Sequence, residues 1–332
     1  MRRISKLLFS CVALSSIAGA VQAQNIGDFL GAGVADGNKL ATAYFQPYGE
    51  MLGVTLNSGW YTSAKVHRIG GFDLTAEVTY AIAPSSTKSY DVNSLGLSSF
   101  NVAAGSSSIA PTLVGSSSNR PTLTPKVANG NSYADFQLPN GAGYGGFALP
   151  MIQAGVGLPF HTEIMGRFVP KIDMKDYGTV SLWGLGVKHD LKDYIPFVAH
   201  VPVWNLSVMG AYTHFSSSAN ATYGTSTGSF DIGSDAYTAR VLTGVTLPII
   251  CFYTGVGYGN TSSNFDLKGT FAGVSGAGAK TSVTNPLSLN YVASGFDFNI
   301  GTRLRLGVIG IHVDYTVGKY QTITAGIGVN FR

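Results

Sequence analysis

The chain has 332 residues, of which only 11% are charged and 43 are glycine, and its mean hydropathy is +0.20. Soluble domains carry about 25% charge, and membrane proteins built of helices are far more apolar, so both classes fit poorly. The formal net charge of +4 comes partly from the first residues and no basic cluster with interleaved aromatics appears, so a nucleic-acid partner is not expected.

Arg2, Arg3 and Lys6 precede an apolar run from Leu7 to Ile17, and Ala-Val-Gln-Ala ends at Ala23. This is the layout of a secretory signal peptide over 1–23, cleaved after Ala23. The apolar run is shorter than the roughly 20 residues a spanning helix needs. Cys11 has no small-residue pair before it, against a lipoprotein signal, and Arg2-Arg3 lacks the flanks of a twin-arginine signal. Cleavage removes three of the 21 basic residues and none of the 17 acidic ones, leaving a mature charge near +1. Only Cys251 then remains, so no internal disulfide is possible.

Residues 24–50 differ from the rest of the mature chain. Asp36 or Asn38 suits the N-cap of a short helix carrying Leu40, Tyr44 and Tyr48 on one face, with Pro47 limiting its length. Such a segment serves equally as a plug inside a lumen or as a periplasmic tail on a rim. From residue 51 onward the pattern has period two. In 72–82, Phe72, Leu74, Ala76, Val78, Tyr80 and Ile82 alternate with Asp73, Thr75, Glu77 and Thr79, and 292–306 and 320–331 repeat the pattern. The expected strands are 51–61, 69–83, 147–158, 161–169, 178–189, 203–215, 236–247, 250–260, 291–306, 308–317 and 320–331. The uncharged window 241–259 reads as two strands meeting at Leu247-Pro248, because proline suits the turn and not a strand interior.

Strands near ten residues match a tilted membrane crossing, and short turns alternating with long loops (216–235, 261–290) mark a barrel. The fold class is therefore all-β, a transmembrane antiparallel barrel in a Gram-negative-type outer membrane. Counting back from a periplasmic C-terminus puts the start of 51–61 outside, which would thread the N-terminus through the barrel. A further strand near 88–100 restores even parity, makes 101–146 the largest outer loop, and gives about 12 strands, or about 14 with another hairpin in 261–290.

The charged residues on polar strand faces are Asp73, Glu77, Glu163, Arg167, Lys188, Asp297, Arg303, Arg305 and Asp314. Facing lipid at mid-membrane would cost each about 2–4 kcal/mol, so they belong to the lumen, either lining a pore or filling a closed interior with ion pairs. Trp60, Tyr61, Trp183, Trp204, Tyr315, Tyr320 and Phe331 sit near strand ends, where interface girdles form. His67, His161, His189, His200, His214 and His312 show no zinc spacing. His312 and Asp314 share a strand face, read as two water-facing residues rather than a base and its orienter. Gly273-Val274-Ser275-Gly276-Ala277 fails the last position of a nucleophile elbow, and Gly31-Ala32-Gly33-Val34-Ala35-Asp36 lacks the final glycine of a dinucleotide loop. No catalytic, metal or cofactor site is expected.

Gly59-Trp60-Tyr61, Gly71-Phe72-Asp73, Gly157-Leu158-Pro159, the run Gly184 to Asp190 with Pro196, and the ending Val329-Asn330-Phe331-Arg332 carry a likeness along nearly the whole mature chain. They resemble an uncharacterised family of secreted bacterial proteins, distantly similar to barrels that transport long-chain fatty acids and hydrocarbons. The resemblance implies an N-terminal plug and a small hydrophobic ligand, and supplies no site residues. The expected function is a channel or transporter for such molecules. The alternatives are a closed barrel with a structural or surface-binding role and, further off, a membrane lipase. The expected partners are outer-membrane lipids and the barrel-assembly machinery.

Overall fold

The computed structural model describes residues 29, 32–116, 120–126, 135–173, 178–196, 200–223, 226–274 and 280–331. The signal segment 1–23 lies outside these residues. One helix, α1 (Gly33–Asn57), precedes ten strands that close into an antiparallel barrel. They are β1 (Phe72–Ile82), β2 (Gly146–Leu158), β3 (Thr162–Asp173), β4 (Thr179–Asp190) and β5 (Trp204–Tyr223). After these come β6 (Ser226–Thr246), β7 (Ile250–Val274), β8 (Leu287–Leu306), β9 (Ile309–Val317) and β10 (Gln321–Phe331). Each strand pairs with its chain neighbour, and β10 pairs with β1 in unbroken register from Phe72↔Phe331 to Ile82↔Gln321. This seam leaves no open edge, which a membrane barrel requires because lipid offers nothing to hydrogen-bond.

Alternation decides which face is which. Along β1, Phe72 and Leu74 point outward and half-exposed, while Asp73, Thr75 and Glu77 are buried inside. On β9, Val313 is 45% exposed and Asp314 only 2%. Outward Ile152, Ile164, Leu185, Val241, Val256, Ile300 and Ile327 continue the apolar belt around the barrel.

The wall is uneven in height. Strands β1 to β4, β9 and β10 have 9–13 residues, whereas β5 to β8 have 20–25. The tall strands change character partway up. Trp183, Tyr212 and Tyr237 cluster on the outer face, with ring centroids 4.9–5.3 Å apart, as a girdle would. Above them the outward residues become Ser216, Asn220, Asn260, Ser262 and Asn264, with an Asp231–Lys268 ion pair at 2.9 Å. That part of the wall therefore stands clear of hydrocarbon.

Several expectations are corrected. There are ten barrel strands rather than about 12 to 14. Residues 51–61 are not a strand: α1 runs to Asn57, through Pro47. The stretch near 88–100 crosses nothing. The described residues between 83 and 145 (83–116, 120–126 and 135–145) instead form a cap on the loop side, in which Ser89–Asp91 pairs with Ile109–Pro111, and Thr122–Pro125 pairs with both Phe100–Val102 and Phe136–Gln137. The stretches 216–235 and 261–290 are largely extensions of the tall strands rather than loops, with Lys280–Thr284 folding back on the end of β7. Trp60, Tyr61 and Tyr320 are buried inside, at 1%, 4% and 2% exposure, and belong to no girdle.

Candidate functional site: the filled lumen

The helix α1 lies within the barrel and touches β8, β7, β1, β6, β2 and β5. Most of the helix is enclosed: Leu40, Tyr44, Phe45, Met51, Leu52 and Leu56 are at most 2% exposed and Tyr48 is 8% exposed, while Lys39, Thr42 and Gln46 form an exposed polar stripe along its first half. Its glycines set the fit. A Cβ on Gly49 would fall 2.8 Å from the Tyr291 ring, and one on Gly53 would fall 2.9 Å from Thr261 Cβ. The helix therefore seats directly against the tall wall of β7 and β8. Pro47 removes one rung of the backbone ladder, and carbonyls near it bond to surrounding groups instead. Thr42 O accepts from the Tyr291 hydroxyl at 3.2 Å, and Tyr44 O from the Leu113 N–H at 2.9 Å.

Direction matters. The first turn meets the loop side, where the Asp36 carboxylate accepts from Ser98 N, Ser98 Oγ and Ser99 N at 2.7–2.8 Å, pinning the cap to the helix. An acid in a first turn also opposes the positive end of the helix dipole. The last turn ends mid-lumen, and residues 58–71 descend to the turn side before β1 rises. The chain is thus threaded through the barrel, the arrangement that an extra strand near 88–100 was invoked to avoid.

A buried helix end leaves carbonyls without partners, and α1 has no basic residue in its last turn. Two barrel arginines supply the donors. Arg167 on β3 donates to Leu56 O (3.2 Å) and Ser58 O (2.6 Å), and Arg240 on β6 donates to Asn57 O (3.2 Å). Both complement the negative end of the dipole. Arg167 also faces Glu77 at 3.4 Å, donates to Gln153 Oε1 at 2.8 Å, and lies 4.0 Å above the Trp60 ring. Arg240 pairs with Asp297, its Nη2 lying 2.9 Å from Oδ2. Beside them, Asn299 donates to Asp314 at 2.8 Å and accepts from Tyr61, while His312 lies 3.5 Å from Glu77.

A second cluster sits nearer the turn side. Glu163 accepts from Lys188 at 3.0 Å and bonds His67 Nδ1 at 2.8 Å. With Asp73, His67 and Glu163 bring potential metal donors within 4.8 Å of one another. The Lys188 ammonium already balances Glu163 from inside the cluster, however, and a cation there would meet that charge directly. These residues read as an ion-pair network.

All nine lumenal candidates face inward. Asp73, Glu77, Glu163, Arg167, Lys188, Arg303 and Asp314 are buried at 7% exposure or less, Asp297 is mostly buried against Arg240, and Arg305 is half-buried at the turn-side mouth. His312 and Asp314, read as water-facing, are buried instead, at 4% and 2%. Arg240, Gln153 and Asn299 carry no site expectation from the sequence, and Trp60, expected in a girdle, and His67, noted only for lacking zinc spacing, join them in the lumen. Arg240 shares a strand parity with Thr238 and Leu242, opposite the apolar Val241, and that signal was available. Trp60 and His67 lie on an aperiodic linker with no such signal.

The fold and its interior define a class: a transmembrane-type β-barrel closed around its own N-terminal helix. By sequence the chain matches a family of unknown function, DUF6588, over residues 1–331, and it belongs to that family. No curated protein matches it. Among solved structures it is similar to the translocator domain of the autotransporter NalP from Neisseria meningitidis, at 10% identity and a TM-score of 0.33, covering 80% of this chain and 90% of that one. It is also similar to the Ralstonia pickettii toluene transporter TbuX, at 8% identity and a TM-score of 0.28, covering 83% and 92%. The attachment invasion locus protein Ail of Yersinia pestis is similar at 9% identity and a TM-score of 0.28, covering 79% and 99%. At scores this low the likeness says nothing about activity, substrate or partner.

Proposed function

We propose that the mature protein, exported and cleaved after Ala23, is an outer-membrane barrel with no standing pore. Its role is structural or surface-binding, carried by the cap 83–145 that α1 holds on the loop side. The observation that supports this most directly is the occupied lumen: α1 buries most of its residues in one half, and ion pairs together with an apolar cluster around Trp60 and Tyr253 occupy the other. Lipids contact the apolar belt, and the assembly machinery meets the strand ending at Phe331.

Transport of small hydrophobic molecules, the role implied by the resemblance, requires the helix to leave. Recording from reconstituted protein in planar bilayers tests the reading. The full mature chain is expected to show no steady conductance, and a variant lacking residues 33–57 to conduct. Steady conductance from the intact chain would sink the closed-barrel proposal.

A further inference from the structure

Beneath the charged clusters, the turn-side mouth opens into a cavity of about 680 Å³. Its lining includes Ser63, Lys65 and Arg68 from the linker, Arg303 and Arg305 from β8, and Asn330 from β10. Arg303 and Arg305 stand two apart on one strand and so point the same way. No carboxylate lines the cavity among the described residues. Nor does any described carboxylate approach within ion-pair distance of Lys65, Arg68, Arg303 or Arg305. Two lining histidines, His67 and His161, hold acids of their own, Glu163 at 2.8 Å and Asp193 at 2.9 Å.

Four cations gathered with no ion pair among them repel one another, Asp73 acting on Arg303 only from beyond ion-pair distance, and the crowding is visible locally. Burial, and then the positive charges of Arg68, Arg305 and Lys192, lower the Lys65 ammonium below the usual lysine range. Arg303 reaches only a neutral partner, Thr62 Oγ1 at 2.9 Å. The Arg305 Nε is buried with no hydrogen-bond partner, a state that costs free energy. Elsewhere in this lumen Arg167 and Arg240 stand in ion pairs; here Arg303 and Arg305 make none among the described residues.

We propose that this mouth is a binding site for a phosphate-bearing anion on the periplasmic side. A carboxylate brings one negative charge, whereas a phosphate monoester brings about 1.5 to 2 near neutral pH together with three strong acceptor oxygens. Guanidinium forks suit those oxygens in bidentate fashion. The same chemistry reaches the mouth from two sources, a soluble phosphate ester or the headgroup of a neighbouring lipid. The site goes beyond the closed-barrel reading and stands independently of whether the lumen conducts.

Calorimetric titration of the full mature chain, folded in an uncharged detergent, tests it with three probes: pyrophosphate, glycerol 3-phosphate, and phosphatidic acid in mixed micelles. Saturable binding of at least one is expected, weakening as sodium chloride rises. Saturation by a soluble probe identifies a free ester as the source, and saturation by phosphatidic acid alone identifies the headgroup. The double variant Lys65→Gln, Arg68→Gln should weaken binding at least tenfold. Neither side chain is fully buried and neither carries an ion pair among the described residues, so the double variant is expected to fold. Arg305→Gln should weaken binding again. Absence of saturation by every probe, or unchanged affinity in the double variant, overturns the proposal.

Discussion

The loop-side and turn-side halves of the lumen differ in how much charge they bury, although the turn side keeps an apolar cluster of its own around Trp60, Met209 and Tyr253. On the loop side, Phe45, Phe230 and Phe265 pack around the helix, and Tyr48 meets Phe147 edge-on at 5.2 Å. On the turn side, Arg167, Glu77, Arg240, Asp297, Glu163 and Lys188 are buried as pairs. Apolar burial stabilises by about 1.5–3 kcal/mol per large side chain, whereas a buried ion pair gains little over an apolar substitute. The loop-side half therefore supplies affinity for the helix. The turn-side half supplies position, since its arginines bind carbonyls found only where the helix stops.

Breaking the turn-side half should cost most. Arg167→Met strips donors from Leu56 O and Ser58 O and leaves Glu77 without its arginine, a loss of about 3–5 kcal/mol. Urea unfolding in detergent measures it, and a change below about 1 kcal/mol would mean the pairs are incidental. Leu52→Ala on the loop-side half should lose about 2–5 kcal/mol in the same assay, because the enclosed helix cannot collapse into the space. On the barrel exterior, Val313→Lys should lose about 2–4 kcal/mol by exposing a cation to lipid, read as loss of the heat-modifiable band on a gel. Asp314→Asn should keep that band; equal damage from both would contradict the facing of β9. Smallest is Asp36→Ala, about 1–2 kcal/mol from the bonds it makes to Ser98 and Ser99. Its signature is faster proteolysis within 83–145 while the barrel persists.

The sequence made these two halves unequally legible. Strands such as 72–82 and 321–331 were plain because lipid and interior impose opposite demands on successive side chains. The same demand exposed Asp73, Glu77 and Arg167 as inward residues. The helix was only half visible. Pro47 limits a helix, and Gly49, Gly53, Val54 and Thr55 are weak helix formers, while local propensity carries no trace of an enclosing wall. What stabilises residues 51–57 as helix is tertiary: the seat against Thr261 and Tyr291, and the arginines at its end. The linker 58–71 has neither period, so His67 and Trp60 were found only by their contacts.

The threading of α1 constrains how the molecule is made. Residues 58–71 leave the barrel at the opposite end from the first turn, while β1 and β10 zip along their whole length. A cylinder completed beforehand would have to admit Trp60, Tyr48 and Phe45 lengthwise past the side chains that line it. The expected order of biogenesis is that the N-terminal segment is laid in place first and the final sheet pairing seals it inside.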